Sequence, residues 1–444
     1  MSKQGGPGRV SRKEGINRIT VCDYKSISQE QSIEIRPLTL LAGANSSGKS
    51  SIMQPLLLLK QTLEASYDPG ALLLNGPNVR FTSADQLLAR TGKGMRAKAF
   101  CVGIGAGTDS TTTHFERRPT GGFEIQQVIF ATRDRMGTLR PPMTHDEIVS
   151  AMPYLKEFQN GLSERDGLKL RWALVRNRCL LEVHLTFEGM PGTVDVGGSF
   201  SRNVDIEPYL RGLVHLPGLR GNPERNYPVT AVGSAFPGTF EVYTASVVAQ
   251  WQETDRDEIR QLGSDLEGLG LSWKVITETV NDTQVELKVG RLAHAARGGA
   301  RDLVNIADIG FGVSQTLPVL VALLAAQPGQ LVYLEQPEIH LHPRAQTAMA
   351  RVLANAASRG VRVVAETHSA LLLLAVQTLV SEGELDPEMV KLHWFQRRED
   401  GSTAITSAEL DEAGAFGNWP EDFGEISLQA EGRYLDAAEQ RQRK

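Results

Sequence analysis

The sequence predicts an α/β protein: a mixed or parallel sheet flanked by helices, joined to an antiparallel β-subdomain and carrying an inserted α+β middle region. Three observations predict it. A Gly-rich stretch, "LAGANSSGKSS" from Leu41, joins an apolar strand to a helix. From Asp302 onward, continuous apolar strands alternate with helices, the mark of a parallel sheet buried on both faces. Between Lys93 and Ala300 several runs of strand character stand apart from one long helical stretch.

The elements follow in order. Residues 1–17 are polar, basic and Gly-rich, and read as a disordered tail without the apolar middle of a signal peptide. "NRITVCDYKSISQEQSIEIRPLTLLAG" holds two or three strands, the last from Leu38 to Ala42. Lys49 to about Ala65 is a helix, with Pro55 expected to bend it. In the middle region "GFEIQQVIFAT", "LKLRWALV" and "CLLEVHLTFEG" read as antiparallel strands, Ala245 to Leu269 as helix, and "WKVITETV" with "TQVELKVG" as a hairpin around Asn281-Asp282. Then come strand "LVNIADI", helix "SQTLPVLVALLAA", strand "QLVYLEQ", a helix from about Arg344 to Ala357, strand "VRVVAET", helix "ALLLLAVQTLVSEG" and a last strand "MVKLHWFQR". The expected division is 1–17 tail, 18–95 first part of the sheet domain, 96–300 β-subdomain and helical insertion, 301–396 second part, and 397–444 a C-terminal segment.

Composition narrows the class. A chain of 444 residues with 41% hydrophobic and 22% charged residues is an ordinary globular protein of two to three domains. Its net charge of −5 excludes a general polyanion binder. Cys22, Cys101 and Cys179 are scattered and odd in number, which argues for a reducing compartment and against both a disulfide framework and a zinc site. No apolar run approaches membrane-spanning length, so a cytoplasmic protein without a membrane partner is expected.

The opening stretch fits Gly, four residues, Gly-Lys-Ser. Its alternative reading is a Gly/Ser-rich turn. In the strand-to-helix setting it can form an anion nest from Gly43, Asn45, Ser46, Ser47, Gly48 and Ser51. Lys49 neutralises β/γ-phosphate charge, and the Ser50 hydroxyl reaches Mg²⁺. Such a loop needs an acid for the metal at a neighbouring strand end. "LVYLEQPEIHLHP" supplies Glu335 there, unless that carboxylate is merely solvated. The next residue, Gln336, stands where hydrolysing relatives of this architecture carry a glutamate. An amide orients water but accepts no proton, so Gln336 is either a weak catalytic residue or a sign that ATP is held for long periods. Glu338 is the substitute to consider.

Two further segments add to the site. "DIGFGVSQTLPVL" sets Gly310, Gly312, Ser314 and Gln315 at a helix start, an anion site or a simple turn. One nucleotide needs only one such site per chain, so this segment is expected to act across a head-to-tail homodimer. "VVAETHSALLL" places His368 at a strand exit, as a γ-phosphate sensor or a structural histidine. His340 and His342, at i, i+2 spacing, do not make a metal site.

Taken in order, "GANSSGKSS", "GFGVSQ", "YLEQP", "EIHLHP" and "ETHS" resemble the Walker A, signature, Walker B, D-loop and switch-histidine motifs of ABC-type ATPases of the SMC/RecF/OLD group. The match covers roughly residues 18–90 and 300–396. The ending "LDEAGAFGNWPEDFGE" is similar to the C-terminal region of bacterial ATPases of the DUF3696 type. The resemblance implies a P-loop ABC-type ATPase head, ATP and Mg²⁺ as cofactors, and a homodimer or higher homo-oligomer through the ATP sites. Gln336, Glu335 and His368 are the catalytic candidates. Several relatives serve anti-phage defence beside a separate effector, a nuclease or toxin, and this is the leading reading, with hydrolysis slow or conditional. A RecF-like ATPase binding DNA is the second, favoured by salt-sensitive duplex binding with ATP. The chain lacks a long coiled coil, and too few residues follow "ETHS" for a Toprim nuclease. A stand-alone nuclease ranks last, because the middle region supplies no evident paired-carboxylate or His/Asn metal site.

Overall fold

The computed structural model describes residues 15–90, 94–133, 135–157, 170–187, 206–294 and 302–417, with Gly432, Arg433, Leu435 and Arg441. The expected tail and most of the C-terminal segment, including "WPEDFGE", lie outside the described residues.

In chain order the strands are β1 (Ile16–Cys22), β2 (Gln31–Glu34), β3 (Leu38–Gly43), β4 (Ala99–Ala106), β5 (Asp109–Arg117), β6 (Phe123–Ala131), β7 (Met136–Leu139), β8 (Leu170–Asn177), β9 (Leu180–Phe187), β10 (Val214–Leu216), β11 (Tyr227–Pro228), β12 (Val275–Asn281), β13 (Gln284–Gly290), β14 (Leu303–Asn305), β15 (Leu331–Glu335), β16 (Arg362–Thr367), β17 (Val390–Arg397) and β18 (Thr403–Ala408). The helices are α1 (Lys49–Glu64), α2 (His145–Ala151), α3 (Glu207–Arg211), α4 (Thr244–Glu253), α5 (Asp257–Gly268), α6 (Phe311–Ala325), α7 (Pro343–Ser358) and α8 (Ala370–Ser381).

The central sheet runs β10-β15-β16-β3-β17-β18, parallel throughout except for the last pair. A second, antiparallel sheet runs β2-β1-β4-β5-β6-β7. The α/β architecture with an antiparallel subdomain is therefore as expected. Side chains of the central strands alternate between two cores, as the pleat requires. Leu38, Leu40, Val332, Leu334, Val363 and Ala365 pack with α6, α7 and α8. Leu41, Leu331, Tyr333 and Val364 face α1 and the antiparallel sheet, meeting Ile52, Leu56, Ile19 and Phe100. Both faces are dry, which explains the unbroken apolar runs in β15 and β16. Helix α1 continues through Pro55 to Glu64, with Leu56, Leu57 and Leu58 fully buried.

Four readings are corrected. "LVNIADI" is not a strand of the parallel sheet: Leu303–Asn305 pair antiparallel with β13 in a separate small sheet, and a 3₁₀ turn follows. Its cross-strand partner lies in the preceding hairpin, so periodicity could not assign its sheet. The stretch from Ala245 to Leu269 is two helices, broken at Thr254–Arg256, where Asp255 has a φ of 45°. The last strand of the sheet is β18, not "MVKLHWFQR", which lies inside it as β17. Cys22 and Cys101 are joined as a disulfide, with Cα atoms 5.0 Å apart. They are register partners on β1 and β4, a pairing 79 residues apart that spacing does not reveal. That pairing also places strands on both sides of residue 95 in one sheet. Cys179 is free and buried, and burial pushes its thiol up to about 12.

Candidate functional site

The site is built where β3, β15 and β16 end side by side. The loop after β3 turns on residues with positive φ. Gly43 has φ 145° and Gly48 φ 103°, and a Cβ at either would fall 2.3 Å from the Phe395 carbonyl oxygen or the Thr403 Oγ1. Only glycine fits both positions. Gly48 is the N-cap of α1, so the first helical turn carries Lys49, Ser50 and Ser51 to the loop. Lys49 is 5% exposed, and its Nζ donates to the carbonyls of Gly43 and Ala44, each at 2.9 Å. Burial lowers its pKa, against the raising influence of Glu366 and Glu338.

Asn45, Ser46, Gly48, Lys49, Ser50, Ser51, Gln336 and His368 line one cleft of about 750 Å³, together with Glu366. Gly43 and Ser47 shape its loop without lining it. Lys25, Arg90, Arg96 and Arg397 add positive charge to its wall. The expected residues of the Gly-rich loop, Gln336 and His368 thus meet in one place, whereas Glu335, the acid expected for the metal, does not line the cleft. A larger groove, about 970 Å³ between the start of α5 and helices α6 and α7, contains none of the motif residues.

Around the loop lies a chain of buried polar groups. Ser50 Oγ donates to Glu366 Oε2 at 3.0 Å, and the Tyr333 hydroxyl donates to Glu366 Oε1. Glu366 is 3% exposed. Burial pushes its carboxyl up to about 7, with the Glu335 charge adding to the rise and the bonds from Tyr333 and Ser50 opposing it. Glu335 lies one strand further out. Its Oε1 meets His215 Nε2 at 3.1 Å and its Oε2 accepts the Gly218 N–H at 3.2 Å. Burial alone would raise Glu335. The His215 bond and charge, the Gly218 N–H and Arg220 outweigh that, and its pKa falls below the ordinary value. Two neighbouring carboxyls are thereby driven apart in pKa.

Gln336 sits in the left-handed region at φ 48°. Its N–H donates to the Glu366 carbonyl at 2.9 Å, and its own carbonyl accepts from Arg220. Buried Arg220 also bonds the carbonyls of Glu335 and Gln315, tying the end of β15 to the start of α6. Glu338 is 6% exposed and accepts the Thr367 hydroxyl at 2.6 Å and the His368 N–H at 3.1 Å. It braces the switch loop from behind. Burial, and then the Lys49 charge, lowers the His368 pKa, while a bond to the Gly43 carbonyl opposes them.

The signature-like segment lies elsewhere. Gly310 caps α6, and Gly312, Ser314 and Gln315 fall in its first turn, none of them lining the cleft. Ser314 is 8% exposed and donates to the Phe311 carbonyl, and Gln315 donates to the Gly221 carbonyl. Phe311 is the exposed residue here, at 53%, beside the His340 ring. His342 caps α7.

ATP and Mg²⁺ fit the residues present. The glycine turn leaves no room for a Cβ, the Ser47 hydroxyl is buried without a hydrogen-bond partner among the described residues, and the metal-side donors are hard oxygens of a hydroxyl and carboxylates. Sequence reasoning missed Glu366, His215 and Arg220. Glu366 showed the same signal as Glu335, an apolar strand run ending in an acid. His215 and Arg220 come from a short strand and loop with no motif.

Two family models match the chain. One, an AAA ATPase domain, matches residues 15–101. The other, described as AAA domain, putative AbiEii toxin, Type IV TA system, matches residues 251–375. With the Gly-rich phosphate loop they define a nucleotide-binding ATPase. None of the curated proteins matches the sequence. Among solved structures, an SMC head bound to the C-winged helix domain of ScpA is similar at 13% identity and TM-score 0.47, over 90% of this chain and 99% of that one. The SMC head domain from Thermotoga maritima is similar at 12% and 0.38, over 88% and 98%. An Smc head with an extended coiled coil, bound to the C-terminal domain of ScpA and derived from Pyrococcus furiosus, is similar at 11% and 0.47, over 90% and 98%. Identities and scores this low say nothing of activity.

Glu366 sets a pH dependence. Its carboxyl titrates near 7 in the folded chain against an ordinary 4.5. As pH rises between those values the unfolded chain loses the proton first, so the group turns against folding, and the penalty is complete above 7. Glu366→Gln is expected to raise the melting temperature of the nucleotide-free protein at pH 8 and to change it little at pH 5. A variant that melts at or below wild type at pH 8 contradicts this.

Proposed function

We propose that the chain is an ATP-binding, dimerising ABC-type ATPase that acts as a nucleotide-controlled switch for a separate effector protein, a nuclease or toxin, in anti-phage defence. The observation that carries the nucleotide reading is the cleft in which Lys49, Ser50, Gln336 and His368 meet. Lys49 and the loop N–H groups hold the phosphates. Ser50 and the acid at the end of β16 face the cation, with the acid at the end of β15 one strand behind. Mg²⁺ would offset phosphate charge, and His368 stands where a γ-phosphate is sensed. The amide at Gln336 favours holding ATP over turning it over quickly. The defence reading is supported by the resemblance to the DUF3696 type and by the toxin–antitoxin description of the family model over residues 251–375.

Dimerisation is supported by the placement of α6: its first turn lies outside the chain's own cleft and is free to approach a second copy. Because Ser314 is buried, the exposed Phe311 is the better probe of that face. With Mg²⁺ and a non-hydrolysable ATP analogue, the wild-type mass by light scattering is expected to double. Phe311→Arg should stay monomeric yet still bind the analogue calorimetrically, with affinity reduced by no more than the lost coupling to dimerisation. A wild-type mass indifferent to nucleotide overturns the switch reading.

A further inference from the structure

Resting on the nucleotide reading of the cleft, we propose that Glu366, at the exit of β16, is the carboxylate through which this chain docks the divalent cation of the bound nucleotide, and that Glu335 supports it from one strand away. Sheet order decides the geometry. β16 lies directly against β3, with Glu366 the register partner of Leu41, whereas β15 pairs only with the far side of β16, Glu335 opposite Glu366. At about 4.8 Å per strand, the backbone of Glu366 is one spacing from the strand that feeds the loop, and that of Glu335 is two. Their side chains share one face of the sheet with Tyr333, the face that covers α1.

The bonds agree. Glu366 is the acid in contact with the Ser50 hydroxyl. That hydroxyl, donating a hydrogen bond to the carboxylate, keeps its lone pairs for a cation, and the carboxylate can accept hydrogen bonds from the cation's water shell. Mg²⁺ typically keeps several waters and one or two carboxylates. Each acid has both oxygens engaged, Glu366 by Ser50 and Tyr333 and Glu335 by His215 and the Gly218 N–H, but only Glu366 is held by a hydroxyl of the phosphate loop, while the partners of Glu335 lie toward the β10 edge. His215 is itself held by Asn78 at 3.2 Å and stacks on Tyr333.

Charge points the same way. A carboxylate at 3% exposure is costly without a counter-charge. Among the described residues no basic side chain forms an ion pair with Glu366. The nearby Lys49 ammonium is instead bonded to two backbone carbonyls. Ser50 and Glu366 together leave an oxygen-lined, electronegative spot at the mouth of the phosphate loop, suited to a small hard cation.

The test uses the full chain and ADP, titrated calorimetrically in Mg²⁺ and in EDTA, with Mn²⁺ resonance spectra of the nucleotide complex as a second readout. Wild type is expected to bind ADP more tightly in Mg²⁺. Glu366→Gln should lose that gain tenfold or more, keep its EDTA affinity within twofold and leave the Mn²⁺ signal as sharp as that of Mn²⁺ and nucleotide without protein, where wild type broadens it. Glu366→Asp should restore part of the gain, and Glu335→Gln should retain most of it. If Glu366→Gln keeps the gain, or Glu335→Gln loses as much, the assignment is overturned. Wild type that binds ADP with no gain from Mg²⁺ overturns this inference alone. Wild type that binds no nucleotide overturns the function proposed above as well.

Discussion

Lys49→Ala is expected to abolish measurable ATP binding. The ammonium is held at the loop by the carbonyls of Gly43 and Ala44, where it can turn to phosphate without travelling. Hydrogen bonds to charged groups contribute about 1.5–3 kcal/mol each. Losing two of them weakens affinity by roughly 10²–10⁴-fold, at 1.4 kcal/mol per tenfold. The fold should survive. Ala44 is exposed, so its freed carbonyl can turn to water, the Gly43 carbonyl keeps its bond from His368, and α1 keeps its apolar face against Ile19 and Phe100. Calorimetry with ATP checks the binding, and circular dichroism checks the fold. An unchanged affinity in a folded variant removes the phosphate-loop assignment.

Gln336→Glu is expected to raise ATP turnover by about 10²-fold or more, the scale that general-base catalysis supplies. Position is already provided. The backbone at Gln336 is pinned from two sides, by the Glu366 carbonyl and by Arg220, and the residue lines the cleft. Only the proton acceptor is missing. A third carboxylate beside Glu335 and Glu366 would have its pKa raised by like charge, toward the range useful to a base near neutral pH. Faster turnover should shorten the life of the ATP-bound dimer. Single-turnover assays of both proteins measure the gain, and dimer decay after dilution measures the lifetime. Brisk hydrolysis by the wild-type chain alone, or no gain in the variant, rules out Gln336 as the brake. Glu338 and His368 would then be the bases to test.

Much of the site was legible because its signals are local. Glycine at 43 and 48 with Lys49 and Ser50 between an apolar strand and a helix specifies a phosphate loop whatever surrounds it. Glu335 and His368 follow apolar runs whose length marks strand ends. The hairpin at Asn281-Asp282 was legible for the same reason. The strands β4 and β5 were not, since "AFCVGIGA" and "DSTTTHFER" are Gly- and Thr-rich and carry little apolar contrast. β10 is three residues long, too short to show any period, yet it brings His215 to Glu335.

By itself the sequence determined the chemistry offered at each strand end and the order of helix and strand that delivers it, because propensity, glycine conformation and burial pattern act over a few residues. Only the tertiary structure decided which strand ends are neighbours. The order β15-β16-β3 inserts "VRVVAET" between the loop strand and the strand of Glu335, and so gives Ser50 to Glu366. The pairing of β1 with β4 joins Cys22 to Cys101, and the first turn of α6 is set outside its own chain's cleft. Hydrogen bonds between strands tens to hundreds of residues apart carry no local signature, and the position of every acid around the loop depends on them.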